Sequence, residues 1–154
     1  MEKKIIWKAG LILLLLSSQL SYGQSMGAVK KEIIKTNSLY FELFKKKDLA
    51  IVSLYTDNGW LLPPNAPAVK GKAALIKDFT SAYTDASIQS VKFTTIQVYG
   101  DGSGYTTEEG IWQVFNTQGV IIDQGNYIKL WKKTGKAWRI YRDIFSSDHK
   151  SATM

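Results

Sequence analysis

The chain has 154 residues, 45% of them hydrophobic, and a formal net charge of +7, which together predict one basic domain with a buried core. It contains no cysteine, which excludes disulfides, thiolate nucleophiles and cysteine-ligated metal or iron–sulfur sites. The single histidine, His149, makes a multi-histidine metal site or a Ser/His/Asp triad very hard to build. We therefore expect neither a metal ion nor a cofactor.

The first residues have the pattern of an export signal. Basic residues precede the apolar run Leu11–Leu16, and the small residues Ser21 and Gly23 precede Gln24. We predict a secretory signal peptide at residues 1–23. The alternative, a permanent membrane anchor, is disfavoured because the apolar run is short for a bilayer span. A cysteine-free exported chain predicts a bacterial periplasmic or secreted protein without a stable membrane anchor after cleavage.

Lysine supplies most of the positive charge, since Arg139 and Arg142 are the only arginines among 20 basic residues. Lysines cluster at residues 45–47 and again between residues 129 and 136. One interpretation is an anionic partner such as nucleic acid. A solvated lysine-rich face is favoured instead, because arginine clusters are missing and export argues against nucleic acid. We expect no nucleic-acid partner.

Three helices are predicted in the first half of the chain. After a polar linker at residues 24–28, apolar residues from Val29 to Phe44 follow helical spacing over about five turns. Asp48 is placed to cap a short second helix over residues 49–54. A third helix is predicted after Gly71.

The other segments have the apolar alternation of strands. Tyr55–Leu62 is predicted to be a short extended segment that ends at two prolines. Four longer strands are predicted near residues 91–98, 105–115, 120–132 and 137–145. The alternation slips near Thr94 and Thr95, which predicts a bulge or bend there. This order of elements indicates the α+β class, with helices on one face of a curved antiparallel sheet.

Alternation along the strands also assigns side chains to faces, unless a bulge inverts them. It places Glu109 on the face opposite Glu108 and Trp112. On the last strand it places Arg142 opposite Asp143. These assignments decide which polar groups are expected inside the fold.

A series of short motifs carries a family resemblance. In chain order they are Tyr40-Phe41-Glu42-Leu43-Phe44 with Asp48, Leu54-Tyr55-Thr56-Asp57, Pro63-Pro64-Asn65, Val69-Lys70-Gly71-Lys72, Glu109-Gly110, Asp123-Gln124-Gly125-Asn126-Tyr127, Leu130-Trp131-Lys132-Lys133, Gly135-Lys136-Ala137-Trp138 and Arg142-Asp143-Ile144. Their order and spacing resemble the nuclear transport factor 2-like (NTF2-like) superfamily, which includes ketosteroid isomerases and SnoaL-type cyclases. The closest resemblance is to the DUF4440 group.

The resemblance implies a cone-shaped fold over residues 29–146, in which a curved sheet wraps three helices and leaves a pocket open at one end. Residues 147–154 are then a flexible tail. It also implies a homodimer that forms through the sheet. It does not imply one activity, because this fold carries isomerases, cyclases, hydrolases and binding modules.

The isomerase residues transfer only in part. Tyr40 holds the position, relative to Asp48, of the helix-one tyrosine that donates to the substrate oxyanion in the isomerases. Pro63 occupies the position of the isomerase general base, and proline has no proton-accepting side chain. Tyr127 aligns with the second oxyanion donor. The resemblance therefore implies a carbonyl- or oxyanion-binding site that lacks the isomerase base.

Several polar and aromatic residues are candidates for a site. The candidate acids or bases are Asp57, Glu109 and Asp143, and Asp123 and Arg142 are further polar candidates. The predicted ligand-binding residues are Tyr40, Trp60, Asn65, Glu109, Trp112, Tyr127 and Arg142. Structural roles stay open for them, such as a buried Glu109–Arg142 pair or tryptophans that only fill the core. A carboxylate enclosed by aromatic rings would have a raised pKa and could act as an acid or base.

Two functions of different classes remain. The favoured one is a binding module that holds a small apolar or aromatic ligand, with Tyr40 and Tyr127 as polar groups. The alternative is an isomerase, cyclase or hydratase in which a carboxylate such as Glu109 or Asp57 replaces the missing base. A weaker third option is a partner-binding domain that uses the sheet.

Overall fold

The computed structural model describes residues 26–149, and its first element is helix α1, residues 26–45. Its buried residues recur at helical spacing and are Val29, Ile33, Asn37, Tyr40 and Phe44. The helix includes residues 26–28, which the sequence pattern assigned to the linker. Lys47 adopts a left-handed backbone with a φ of 56°, and the Asp48 amide donates to the Leu43 carbonyl at 2.9 Å, which ends the helix.

A 3-10 helix, Leu49–Leu54, follows α1 directly. The Asp48 carboxylate accepts a hydrogen bond from the Ala50 amide at 2.8 Å, which confirms the predicted cap. The next elements are strand β1 (Tyr55–Leu62), strand β2 (Val69–Lys70) and helix α2 (Lys72–Thr84). Gly71 precedes α2 with a φ of 81°, a conformation that favours glycine.

Six strands form one sheet in the order β2-β1-β6-β5-β4-β3. The four long strands are β3 (Ser90–Gly100), β4 (Tyr105–Phe115), β5 (Ile121–Thr134) and β6 (Ala137–Phe145). They form the predicted antiparallel meander, which β1 extends by pairing parallel to β6. The predicted α+β fold, with N-terminal helices packed on a curved sheet, is confirmed. The parallel pair is an addition, and the long connection between β1 and β6 makes it possible.

Register shifts bend the sheet at several points. The shift between Thr95 and Gln97 lies at the predicted bulge in β3. A second shift occurs where β5 pairs with β6, and there Tyr141 falls between two successive register pairs. Beyond this bulge the alternation of β6 is reversed, so Ile140 and Asp143 are both fully buried. Alternation had placed Asp143 on the face opposite Ile140, and the extra residue in β6 puts both side chains on the inner face.

The two α-helices cover one face of the sheet with a large apolar core, and a smaller apolar cluster forms around Trp112, Val114 and Tyr127. The C-terminal residues 146–149 run beside β5, and the Asp148 amide donates to the Gln124 carbonyl at 2.8 Å. In the part of the chain that the structure describes, no helix combines the length and hydrophobicity needed to cross a bilayer. The predicted signal peptide and the last five residues of the predicted tail lie outside the described residues.

Candidate functional site

A pocket of about 260 Å³ opens between the helices and the inner face of the sheet. Six aromatic residues line it: Tyr40, Phe44, Phe79, Phe93, Trp112 and Phe145. Five aliphatic residues complete the apolar wall: Leu61, Ala82, Ile88, Val91 and Val114. We call this space the ring-lined pocket. Its apolar lining with few polar groups is typical of small-molecule sites, and its volume lies just below their usual range of about 300–1,000 Å³.

Local sequence spacing brings these side chains to one place. Tyr40 and Phe44 are four residues apart on α1, so they project from the same face of the helix. Trp112 and Val114 are two residues apart on β4 and share the inner face of the sheet. Tyr40 contacts Phe93 edge to face, with 5.0 Å between the ring centroids, and is stacked on Phe44 at 6.3 Å. This packing fixes the shape of the pocket.

Two carboxylates, Asp78 and Asp123, also line the ring-lined pocket. Both are partly exposed, so they stand at its rim, Asp78 on α2 and Asp123 on β5. Partial burial raises the pKa of Asp78 above its ordinary value. The Asp123 carboxylate accepts hydrogen bonds from the Gln124 amide at 2.7 Å and the Ser147 hydroxyl at 2.8 Å. The rim is therefore acidic while the interior is apolar.

A buried polar network lies next to the pocket and is centred on Glu108, which is fully buried on β4. Its Oε1 accepts three hydrogen bonds of 2.6 Å, and the donors are Asn37, Thr95 and Tyr127. Its Oε2 accepts from the Trp131 indole at 2.9 Å. Four donors thus satisfy one carboxylate that has no contact with solvent.

Lys129 is the buried cation of this network and is 0% exposed. Its Nζ donates to the Asn37 side-chain oxygen at 3.0 Å and lies 3.1 Å from the centroid of the Phe93 ring. Burial lowers the pKa of Lys129, and the charges of Asp143 and Glu108 oppose that shift. Lys129 was predicted to lie on a solvated lysine-rich face, and the structure corrects this because Lys129 shares the inner face of β5 with Tyr127 and Trp131.

Asp143 is the third buried ionisable group, and its Oδ2 accepts a hydrogen bond from the Tyr55 hydroxyl at 2.8 Å. Its Oδ1 has no hydrogen-bond partner among the described residues. Burial raises the pKa of Asp143, while the Lys129 charge lowers it. The Tyr40 hydroxyl is hydrogen bonded to Tyr55, and burial followed by the Asp143 charge raises the pKa of Tyr40 well above 10.0. Tyr40 is therefore a neutral hydrogen-bonding group.

Of the seven predicted ligand-binding residues, Tyr40 and Trp112 line the ring-lined pocket. The Trp112 indole donates to the Ser146 carbonyl at 2.6 Å, so its polar atom faces the protein. Tyr127 is buried behind the pocket wall, where its ring contacts Phe93 at 4.9 Å between centroids. Its hydroxyl donates a hydrogen bond to Glu108, and Tyr127 does not line the pocket. Burial raises the pKa of Tyr127, as do the charge of Glu108 and the hydrogen bond to it.

Glu109 and Arg142 do not enter the cone, and the buried pair considered for them does not form. Inner residues of β4 alternate from Thr106 onwards, so Glu109 faces outward and accepts from the Tyr99 hydroxyl at 2.7 Å. The bulge at Tyr141 turns Arg142 outward, where its guanidinium lies 4.3 Å from the centroid of the Trp60 ring. Both residues were predicted to bind the ligand, and the structure places both outside the ring-lined pocket: Glu109 follows the alternation of β4, and Arg142 is turned by the bulge in β6.

The remaining candidates also lie away from the ring-lined pocket. Trp60 stands on the outer face of the sheet between Arg142 and Lys70, whose Nζ is 4.3 Å from its ring centroid. Asn65 is exposed in the loop after β1, with a φ of 56°. Asp57 is exposed and lines a separate shallow groove near the β5–β6 turn. Among residues 26–149, no three His, Cys, Asp or Glu side chains are placed to hold a metal ion.

Four residues at the site or in the buried network were not predicted from the sequence: Asn37, Asp78, Glu108 and Lys129. A signal existed for Glu108, because alternation placed it on the same face as Trp112. A signal also existed for Lys129, which lies midway between Tyr127 and Trp131 on an otherwise aromatic face. Lys129 was assigned to a solvated face because of its charge, and Glu108 was given no role, whereas alternation along the strands places both on the inner face.

No family model matches the chain, and no curated protein matches it either. Solved structures do. A ketosteroid isomerase-like protein from Erwinia carotovora atroseptica superposes with a TM-score of 0.61 at 21% identity, over 76% of this chain and 95% of that one. An NTF2-like protein with a cystatin-like fold from Novosphingobium aromaticivorans superposes with a TM-score of 0.66 at 18% identity, over 89% of this chain and 90% of that one. A protein from Catenulispora acidiphila, in complex with S-DNPA, superposes with a TM-score of 0.67 at 9% identity, over 79% of this chain and 95% of that one.

These similarities establish the fold as NTF2-like, the fold of ketosteroid isomerase-like proteins. Identities of this size concern the fold alone, and one similar protein is described as being of unknown function. The resemblance that the sequence motifs predicted is confirmed at the level of the NTF2-like fold. The function must be argued from the site.

Proposed function

We propose that this protein binds a small apolar or aromatic molecule in the ring-lined pocket. The observation that carries the proposal is a space of about 260 Å³ whose wall holds six aromatic rings. A ligand that buries roughly 200 Å² of apolar surface there would gain on the order of 5 kcal/mol before the costs of association. A gain of that size corresponds to a dissociation constant of roughly 0.2 mM before those costs, so weak binding in the submillimolar to millimolar range is expected. The Catenulispora acidiphila protein in complex with S-DNPA supports ligand binding as a use of this fold.

The proposal includes the setting of the protein. Residues 1–23 have the pattern of an export signal, so we infer a periplasmic or secreted bacterial protein.

We also infer a homodimer through the outer face of the sheet. Three isoleucines on adjacent strands form an outer apolar patch there: Ile111, Ile128 and Ile144, which are 40%, 51% and 47% exposed. A second copy of the chain is the inferred partner, and no nucleic acid is proposed.

The test is a matched pair of substitutions on α2. Ala82 lines the ring-lined pocket, and Ala73 is exposed on the same helix. Wild-type protein is screened by thermal shift against steroid-like, polyketide and aromatic compounds, and dissociation constants are measured for those that stabilise it. Ala82→Phe should weaken their binding at least about tenfold because its ring occupies the pocket, whereas Ala73→Phe should not. Flat melts for every compound, or full affinity in Ala82→Phe, would contradict the proposal.

A second candidate function is catalysis of the isomerase, cyclase or hydratase type. The observation in its favour is Asp78, a pocket carboxylate whose pKa is raised by burial, which suits an acid or base. The carboxylates first proposed for this role, Asp57 and Glu109, do not line the pocket. Chemical conversion of a stabilising compound, followed by mass spectrometry, distinguishes an enzyme from a module that returns its ligand unchanged.

A further inference from the structure

We propose that the ring-lined pocket selects amines, with the apolar body of the ligand against the rings and its ammonium group at the rim between Asp78 and Asp123. The inference rests on the proposed ligand-binding function and adds the chemical class of the ligand. Three features of the described residues carry it: the hydrogen-bond acceptors left at the pocket, the unbalanced negative charge at its rim, and a buried cation behind its wall.

The first feature is that the pocket offers acceptors to a ligand. Of the 13 residues that line it, four carry polar side-chain atoms: Tyr40, Asp78, Trp112 and Asp123. The Trp112 indole is used by the Ser146 carbonyl, and the Tyr40 hydroxyl is hydrogen bonded to Tyr55. The two carboxylates remain as the charged groups at the rim. A ligand must therefore donate hydrogen bonds or carry positive charge to gain from them.

The second feature is that the rim charge is unbalanced. No lysine, arginine or histidine nitrogen of residues 26–149 lies within 4.0 Å of the Asp78 carboxylate, and Asp123 has only His149 at 3.8 Å. The aromatic rings that line the same pocket favour a cation as well, because the faces of aromatic rings are negative. An anionic ligand would meet two carboxylates, and no lysine or arginine is among the 13 described residues that line the pocket to offset them.

The third feature orients the ligand. Lys129 does not line the pocket, but its Nζ lies 3.1 Å from the centroid of Phe93, which does. The face of that ring is already occupied by a cation, so a second cation beside it would be repelled. The apolar body of the ligand is therefore favoured near Phe93 and Tyr40. Its ammonium group is favoured at the acidic rim, where it also keeps contact with water.

The experiment compares three probes that share one ring system: naphthylmethylamine, naphthylmethanol and naphthoate. Dissociation constants are measured by calorimetry on the full-length protein at neutral pH. The amine should bind about tenfold more tightly than the alcohol, and naphthoate should bind most weakly. Asp78→Asn and Asp123→Asn should each reduce the affinity for the amine about fivefold and leave that for the alcohol within about twofold.

Asp85→Asn is the matched control, because Asp85 follows the same helix as Asp78, has the same charge and does not line the pocket. It should leave all three affinities unchanged. Loss of the amine preference in at least one rim variant supports the inference. Retention of the preference in both variants, or equal binding of the three probes by the wild type, overturns the inference and leaves the proposed function standing. Failure of all three probes to bind overturns both.

Discussion

Two neighbouring glutamates illustrate how one residue of offset changes the role of a side chain. Glu108 is fully buried and accepts four hydrogen bonds, whereas Glu109 faces outward and is bonded by Tyr99. Burial of a carboxylate is costly unless hydrogen bonds and a nearby positive charge offset the lost hydration, and for Glu108 the positive charge is that of Lys129. The same substitution at the two positions therefore has different consequences.

Glu108→Gln should lower the free energy of unfolding by about 3 kcal/mol, because an amide replaces one acceptor oxygen by a donor and removes one of the two buried negative charges, Glu108 and Asp143, that balance Lys129. Glu109→Gln is the matched control and should change stability by less than about 0.5 kcal/mol. Urea denaturation of both variants and the wild type at neutral pH measures these changes. Equal stability of the two variants would show that the network around Glu108 does not stabilise the fold.

The buried charges also explain why the network is one unit. Lys129 is contacted by the Asn37 oxygen and the Phe93 ring, and Asp143 is held by Tyr55. Their pKa values move toward the neutral forms because burial disfavours charge in both. Each group depends on contacts from elements that are distant in the chain, so the network forms only when the helices and the sheet have packed.

At the scale of elements, β4 is the strand that carries both the network and the pocket wall. Its inner face contains Glu108, Gly110 and Trp112 in alternation. A side chain at Gly110 would overlap the Thr94 carbonyl of β3 and come within 2.6 Å of the Tyr127 hydroxyl. Glycine here allows β3 to approach closely and lets Tyr127 reach Glu108.

Gly110→Ala should therefore destabilise the protein by about 2 kcal/mol, because the overlap with a backbone oxygen cannot be relieved by a side-chain rotation. Gly104→Ala, in the turn before β4, is the control, since a Cβ there meets no atom within 4 Å. It should cost less than about 0.5 kcal/mol. Thermal unfolding followed by circular dichroism measures both. A neutral Gly110→Ala would mean that β3 and β4 can separate without loss.

At the scale of the whole molecule, the outer apolar patch supports the inferred homodimer. Ile128 and Ile144 are register partners on β5 and β6, so they form one continuous exposed surface.

Ile128→Lys should shift a dimer to monomers without loss of fold, because charge repulsion and lost apolar burial both oppose association. Sedimentation velocity measures the change. Val120→Lys is the control, since Val120 is 54% exposed in the turn before β5 and lies outside the patch. A monomeric wild type would overturn the inference.

Local patterns in the sequence were sufficient for much of this fold. Helical spacing predicted α1, the Asp48 cap predicted the 3-10 helix, and the slip in alternation predicted the bulge near Thr95. These features depend on residues within a few positions of one another, where backbone geometry and side-chain periodicity act directly. The NTF2-like fold could also be predicted, because the order of its helices and strands follows from local patterns along the chain.

The site depended on tertiary structure. Asn37 meets Glu108 across 71 residues and Lys129 across 92, and no local pattern relates these positions. The bulge at Tyr141 reversed the faces of Arg142 and Asp143, because the register of β5 and β6 is set by pairing between strands. The sequence by itself thus determined the elements and their order. Packing decided which charges were buried and which side chains surround the pocket, because burial is a property of neighbours that are distant in the chain.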